Sequence, residues 1–197
     1  MAKDRRRTWE ARHRTDDTVA PPSPFVLHAL DALDALSTSV PRRALDVACG
    51  RGRHALALAA RGFAVDAVDF ALPALTRLRR EATARDLTIT CIGADVTTWP
   101  LPRARYDLVV VVDFLERALF PALRAAVAPG GALLYETHHR DDAATTTPSL
   151  RPDFLLAPGE LDALCLDWHV LVRQDRRTLH HGTPTLRAGI LAQRPAH

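Results

Sequence analysis

Two glycines and a carboxylate within one short stretch of the chain suggest a nucleotide-binding loop. The stretch ALDVACGRGRHALALA, residues 44–59, places Asp46 four residues before Gly50, and Gly52 follows. Glycines between a strand and a helix let the backbone approach a ligand, and the helix N-terminus offers free N–H groups. As G-x-G-x-x-A, the stretch fits a dinucleotide pyrophosphate. With Asp46 included, it fits a ligand with an ammonium group, because a carboxylate repels a pyrophosphate.

Two further carboxylates stand where strands of such a fold would end. Asp69 lies 17 residues past Gly52, where a carboxylate can accept hydrogen bonds from both hydroxyls of a ribose. More than one nucleotide cofactor has such a ribose, so Asp69 does not discriminate between them. Asp95, in GADVTTWP, can accept from an adenine amino group, although an aspartate at a strand end also commonly begins a turn.

The elements that must position these residues alternate between helix and strand. Apolar spacing predicts a helix over FVLHALDALDAL, and later helices at HALALAARG, around Pro73, at LFPALRAAVA up to PGG, and at PGELDALC. Strands are predicted at RALDVAC, AVDAVD, ITCIGAD, YDLVVVVDF and ALLYETH, followed by a hairpin of WHVLVRQDR and TPTLRAGILAQ. We therefore expect an α/β fold, a Rossmann-like three-layer sandwich. Its seven-stranded sheet would be mainly parallel, with a C-terminal antiparallel hairpin and ligands at the carboxyl ends of the strands.

Length and composition narrow the class of protein. We expect an N-terminal lid segment and helix at residues 1–40 and one globular domain at residues 41–197. No apolar run reaches the ~18 residues of a membrane span, and no signal sequence is recognisable, so we expect a cytoplasmic protein. A net charge of +3, with arginines interspersed among acids, does not suggest nucleic-acid binding. The three cysteines lack close spacing, which predicts reduced thiols and no metal site.

The motifs taken together resemble those of class I S-adenosylmethionine-dependent methyltransferases. LDVACGRGRHALALAARG, VDAVDF, GADVTTWPLP, YDLVVVVDFL and LRAAVAPGGALLYET follow that family's order and spacing over residues 44–137. The chain is similar to the small bacterial branch that contains the tellurite-resistance and thiopurine-type methyltransferases. The resemblance implies S-adenosylmethionine as cofactor and methyl transfer to a small-molecule acceptor, for which this branch suggests an oxyanion or a chalcogen compound.

The resemblance also implies where the cofactor is held. The glycine loop would line its methionine part, the end of strand two would hold the ribose and pack on the adenine, and the residues after strand three would meet the adenine edge. The end of strand four would lie where the backbone passes the methionine amino group. In that order, the implied residues are Asp46, Ala48, Gly50 and Gly52; Asp69 and Phe70; Asp95 and Val96; and Asp113.

Two residues depart from the family pattern. Ala48 replaces the usual first glycine, which is tolerable only if its φ stays negative. Ala71 stands where a serine or aspartate would cap the next helix, so that cap is missing.

The acceptor side carries a weaker signal, because methyl transfer requires positioning more than a catalytic signature. Arg117 could hold an anionic acceptor, or simply lie exposed at a helix start. His138 and His139 follow strand five and could act as base or acceptor ligand, although one of two adjacent histidines commonly faces solvent. Trp9 and Arg12 resemble residues that close over the cofactor as a lid. No catalytic residue is assigned.

Two other functions stay open from the sequence. An NAD-dependent oxidoreductase would use the G-x-G-x-x-A pattern, and the position of Asp46 counts against it. A regulatory protein could bind S-adenosylmethionine without turnover, and nothing in the sequence excludes it. We expect a monomer or a homodimer.

Overall fold

The computed structural model describes residues 20–36, 42–140, 152–180 and 183–196. The strands in these ranges are β1 (Arg42–Val47), β2 (Phe63–Asp69), β3 (Ile89–Gly93), β4 (Tyr106–Val112), β5 (Val127–His139), β6 (His169–His180) and β7 (Thr183–Gln193). The helices are α1 (Pro24–Leu36), α2 (Arg53–Ala60), α3 (Leu72–Ala84), α4 (Phe120–Ala126) and α5 (Glu160–Leu164), with 3₁₀ turns at Arg117–Leu119 and Pro152–Phe154. None of the helices in these ranges is both long and apolar enough to cross a membrane.

Within the described residues, the strands form one seven-stranded sheet in the order β3-β2-β1-β4-β5-β7-β6. β1 to β5 pair in parallel, and β7 runs antiparallel to both β5 and β6. The predicted fold class is therefore confirmed. An antiparallel strand inserted before the last one departs from the 3-2-1-4-5-6 order of classical dinucleotide-binding sheets. The carboxyl ends of β1 to β5 and the start of β7 share one edge, and this edge positions the site.

Apolar cores cover both faces of the sheet. Helices α1, α2 and α3 pack on one face, and α4 and α5 pack on the other. Phe25 of α1 is fully buried against β7, where a Cβ at Gly189 would lie 2.6 Å from the Phe25 ring. The helix before the predicted boundary at residue 41 thus shares its core with the sheet, and the boundary itself stays a prediction.

One predicted boundary between elements was wrong. The sequence predicted a helix up to PGG, but α4 ends at Ala126 and β5 begins at Val127. Val127 pairs with Tyr106 across a register shift. Gly131 then lies directly on β4, since a Cβ there would lie 2.9 Å from the Asp107 carbonyl oxygen. The glycines let β5 pass close to β4, so they belong to the strand and do not end the helix.

Candidate functional site

The loop between β1 and α2 is built on three residues with left-handed backbone. Ala48, Gly50 and Gly52 have φ of 54°, 54° and 74°. The condition set for Ala48 is therefore not met, because its φ is positive. The positive φ of Ala48 follows from the tight turn of the loop. The next residue, Cys49, donates its N–H to the Val68 carbonyl at 3.0 Å and so keeps the loop close to β2. A left-handed residue with a Cβ costs about 1–2 kcal/mol.

Asp69 connects this loop to the helix that follows β2. Its Oδ2 accepts the Gly50 N–H at 2.8 Å and its Oδ1 accepts the Ala71 N–H at 2.8 Å. Ala71 occupies the N-cap position of α3 and supplies no side-chain hydrogen bond to the helix. The prediction that this side-chain cap is missing is confirmed. Each carboxylate oxygen has a second lone pair, which leaves Asp69 able to accept a ribose hydroxyl as well.

Asp46 lies buried beneath the loop, with 2% of its surface exposed. Burial raises the pKa of its carboxyl to about 7, against the lowering effect of the Ala55 N–H, and the charge of Asp69 raises it further. Among the residues that the structure describes, the Asp46 Oδ2 has no hydrogen-bond partner. A buried acceptor without a donor is uncommon and calls for a specific explanation. An ammonium group bound at the loop would supply both the missing donor and the compensating charge.

The ends of β2 and β3 present apolar surface beside Asp69. Phe70 is half-buried, and Leu72, at the start of α3, is 55% exposed. Leu72 lies over Gly93 at the end of β3, where a Cβ would be 2.8 Å from the leucine Cδ2. Such a surface suits the face of an adenine ring. The sequence analysis missed Leu72, although an apolar residue at the first turn of a helix that follows a ligand-binding strand was a usable signal.

The two residues expected at the adenine edge have clear local roles. The Asp95 Oδ1 accepts the backbone N–H of Thr97 at 2.9 Å and its hydroxyl at 2.7 Å, so this exposed aspartate forms a turn. The Val96 side chain is buried in the core. Their contacts with a cofactor stay predictions, and backbone groups of this turn would have to make them.

Asp113, at the end of β4, stands in a cluster of charged side chains. It has a left-handed φ of 57° and accepts from two arginines, Arg187 of β7 at 2.6 Å and Arg53 of α2 at 2.8 Å. Burial raises the pKa of Asp113, but the charges and hydrogen bonds of the two arginines outweigh this effect and hold it below its usual range. Arg187 also donates to the fully buried Glu136 at 3.0 Å. The His138 Nε2 lies 3.3 Å from the Arg187 Nη1.

His54, in the first turn of α2, connects the N-terminal segment to the site. Its Nε2 accepts the Ser23 N–H at 3.3 Å, and the ring is 4% exposed. Burial, together with the charge of Arg53, lowers the pKa of His54 to about 3. The ring is therefore neutral at physiological pH, which the accepted hydrogen bond requires.

Arg117 is engaged with the chain itself. Its guanidinium donates to both carboxylate oxygens of Glu160, at 2.6 and 2.9 Å, and to the carbonyls of Asp153 and Leu155 at 3.2 and 3.0 Å. These bonds hold the segment that leads into α5. Its role toward an acceptor stays a prediction, and the geometry favours the structural one.

The two adjacent histidines of β5 face opposite sides of the sheet. His138 is buried toward Asp113. His139 lines a cavity of about 140 Å³ on the other face, together with Arg173 and Asp175. The structure thus separates the two candidates. Trp9 and Arg12, expected in a lid, lie outside the described residues.

The sequence analysis also missed Glu136 and Arg187. They are 51 residues apart and belong to no local motif. A usable signal was present, because ALLYETH places a charge directly after the apolar run ALLY of a strand, and a buried carboxylate requires a cation nearby.

Comparisons with known proteins show what kind of domain the chain resembles. Residues 44–131 match the family described as a methyltransferase domain. The chain is similar to the demethylmenaquinone methyltransferase of Thermus thermophilus, with 38% identity over 112 residues that cover 52% of this chain and 50% of that protein. It is also similar to the ubiquinone biosynthesis O-methyltransferase of Idiomarina loihiensis, with 32% identity over 107 residues that cover 51% and 44%. The chain thus spans about half the length of these relatives.

Among solved structures, the fold is similar to that of TehB from Haemophilus influenzae. The TM-score is 0.72 with 24% identity, over 83% of this chain and 61% of that one. The matched family region contains the whole glycine loop, Asp69 and Asp113. These comparisons imply S-adenosylmethionine as the cofactor. Residues 44–131 of the chain are therefore similar to a methyltransferase domain, and the fold is similar to that of known methyltransferases.

Proposed function

We propose that this protein binds S-adenosylmethionine at the carboxyl edge of the sheet and transfers its methyl group to a small-molecule acceptor. The observation that carries the proposal is the left-handed glycine loop with two carboxylates behind it. Asp46 offers an oxygen that has no partner in the described part of the chain, and Asp69 orders the loop. A cation with hydrogen-bond donors fits this arrangement better than a pyrophosphate does.

Different residues of the chain would hold different parts of the cofactor. Asp46 and the glycine loop would hold the amino-acid part, Asp69 would hold the ribose, and the surface of Phe70 and Leu72 would cover the adenine. When bound, the cofactor supplies a methyl group activated by a sulfonium. The protein's contribution is to fix this group beside the end of β4, to orient the acceptor and to exclude water.

Two acceptor classes are worth testing. The resemblance to the tellurite-resistance branch suggests an oxyanion or a chalcogen compound. The curated relatives are named for demethylmenaquinone and for ubiquinone biosynthesis, which suggests a phenolic head group. His139 and the cavity of about 140 Å³ beside it lie at the carboxyl end of β5, and we propose that a small acceptor binds there.

The first experiment is calorimetric titration of the protein with S-adenosylmethionine, S-adenosylhomocysteine and NAD in parallel. We expect the first two to bind and NAD not to bind. Binding of NAD alone would remove the methyltransferase proposal.

Turnover is then tested with tellurite, selenite and a simple catechol as acceptors. Formation of S-adenosylhomocysteine with one of them supports the proposal and selects the acceptor class. Tight binding of the cofactor and the by-product, with no transfer to any acceptor, would favour a regulatory protein that binds the cofactor without turnover.

A further inference from the structure

A series of four charged side chains, two of them buried, runs from the C-terminal hairpin to the glycine loop. Arg187 is 9% exposed and Glu136 is fully buried, and the Arg187 Nε donates to the Glu136 carboxylate at 3.0 Å. The Arg187 Nη1 reaches the Asp113 Oδ1 at 2.6 Å. On its other side, the Asp113 Oδ2 meets Arg53 at 2.8 Å, and Arg53 follows Gly52 directly. Four charges of alternating sign thus connect β5, β7, β4 and α2.

The contacts of these charged side chains hold Asp113 just after the end of β4. Its φ of 57° is unfavourable for a residue with a side chain. Arg187 and Arg53 each bond one oxygen of its carboxylate, and its N–H donates to the Glu136 carbonyl at 3.0 Å. Glu136 in turn orients Arg187, because a carboxylate that is fully buried requires a charged partner.

We infer that Arg187 is a positioning residue for the part of the site that takes the amino-acid half of the cofactor. Held by Glu136, it fixes Asp113 at the end of β4, and through Asp113 it fixes Arg53 and the end of the glycine loop. The inference rests on the proposed function, since it concerns the same site. It assigns to the antiparallel strand β7 a role in cofactor binding.

The variant Arg187→Lys tests this role. A lysine keeps the positive charge beside Glu136, so the fold is retained, but its single ammonium cannot replace the guanidinium fork that bonds two carboxylates at once. The probes are S-adenosylhomocysteine and 5′-methylthioadenosine, which shares the adenosine and the thioether but has no amino-acid group. We expect Arg187→Lys to lose affinity for the first by about tenfold, the effect of roughly one lost charge-assisted hydrogen bond. Affinity for the second should stay within about twofold of the original protein, well below that tenfold loss.

A matched control and a second variant separate positioning from general damage. Arg61→Lys, directly after helix α2, alters an arginine that also bonds two carboxylates, Asp31 and Asp34 of α1, and should change neither affinity. Asp113→Asn leaves the pair of Glu136 and Arg187 in place and should show the same selective loss. Because both changes act through one contact, Arg187→Lys added to Asp113→Asn should cost little more.

Each outcome of these titrations decides the role of Arg187. If Arg187→Lys weakens both ligands equally, or neither, Arg187 is structural and the inference is wrong. If Arg187→Lys does not fold, Asp113→Asn carries the test, and an unchanged ratio of the two affinities overturns the inference. If the original protein binds neither ligand, the proposed function fails before the inference is reached.

Discussion

The carboxylate of Asp69 has two tasks in this structure, and each can be measured. It accepts the N–H groups of Gly50 and Ala71, and the cofactor ribose would add a further bond. Asp69→Ala should therefore weaken binding of S-adenosylhomocysteine by about 1–3 kcal/mol, the range for hydrogen bonds to a charged group, and should also lower the free energy of unfolding. Calorimetry gives the first quantity and urea unfolding the second. Asp66→Asn, on the same strand but bonded to Tyr106, is the control and should keep the affinity. Unchanged affinity in Asp69→Ala would exclude Asp69 from the site.

The buried carboxyl of Asp46 predicts a pH dependence of cofactor binding. Burial raises its pKa to about 7, so the group is partly protonated near neutral pH when no ligand is bound. Only the ionised form attracts an ammonium group, and a bound ammonium lowers the pKa of the carboxyl in turn. Affinity for S-adenosylhomocysteine should therefore rise as the pH rises through about 7, with release of a proton on binding. Titration in buffers of different ionisation enthalpy measures that proton.

Stability should respond to pH at Asp46 with the opposite sign. The folded pKa lies above the unfolded one, so the contribution of Asp46 to stability is full below about pH 4 and is lost as the pH rises through about 7. Asp46→Asn should remove both dependences. A ligand affinity with the same pH profile in Asp46→Asn and in the original protein would show that another group is responsible.

Single residues differ in how far the sequence could predict them. Gly50, Gly52 and Asp69 stand in a local pattern, so their types and spacing are enough to indicate a binding site. Glu136 lies on β5 and Arg187 on β7. The pairing of these strands brings them together, because Arg187 pairs with His138, two residues after Glu136 and on the same face of β5. No short window of sequence contains such a pair.

At the scale of elements, the glycine loop stores strain at one alanine. Ala48 has a φ of 54°, where glycine is favoured, so Ala48→Gly should raise the free energy of unfolding by about 1 kcal/mol. Ala57→Gly, the same substitution inside α2, should lower it by about 1 kcal/mol, because glycine weakens a helix interior. Urea unfolding of both variants measures the two signs. A loss of stability in both would show that the Ala48 side chain makes contacts worth more than the strain.

The elements themselves were predictable where a periodic pattern was unbroken. The continuous apolar run in YDLVVVVDF indicated a strand covered on both faces, and β4 is one. The boundary between α4 and β5 was not predictable in the same way. Pro129, Gly130 and Gly131 commonly end helices, but here the sheet determines their conformation, because Gly131 is needed for close contact with β4.

At the scale of the whole molecule, the alternation of strands and helices predicted the architecture. It did not predict how distant parts of the chain pack against each other. α1 packs on the same face of the sheet as α2 and α3, and Phe25 reaches Gly189 on β7. The helical spacing of α1 predicted that one face is buried. It could not show which strand that face would meet.

The contact of Phe25 with Gly189 predicts that the two ends of the described chain stabilise each other. Phe25→Ala should lower the free energy of unfolding by about 3–5 kcal/mol, the usual cost of removing a buried aromatic ring. Leu27→Ala, on the same helix but 36% exposed, should cost less than about 1 kcal/mol and serves as control. Urea unfolding of each variant gives these values.

The reciprocal change is Gly189→Ala, whose added methyl group would lie 2.6 Å from the Phe25 ring and should cost about 1–3 kcal/mol through overpacking. Once Phe25 is an alanine, the obstruction is gone, so Gly189→Ala should cost much less in the Phe25→Ala background. The double-mutant cycle thus separates a steric contact from two independent losses. Additive costs would mean that α1 is stabilised elsewhere and that the hairpin does not depend on it. If Gly189→Ala instead costs much less in the Phe25→Ala background, helix α1 and strand β7 form one cooperative unit on either side of the sheet's carboxyl edge.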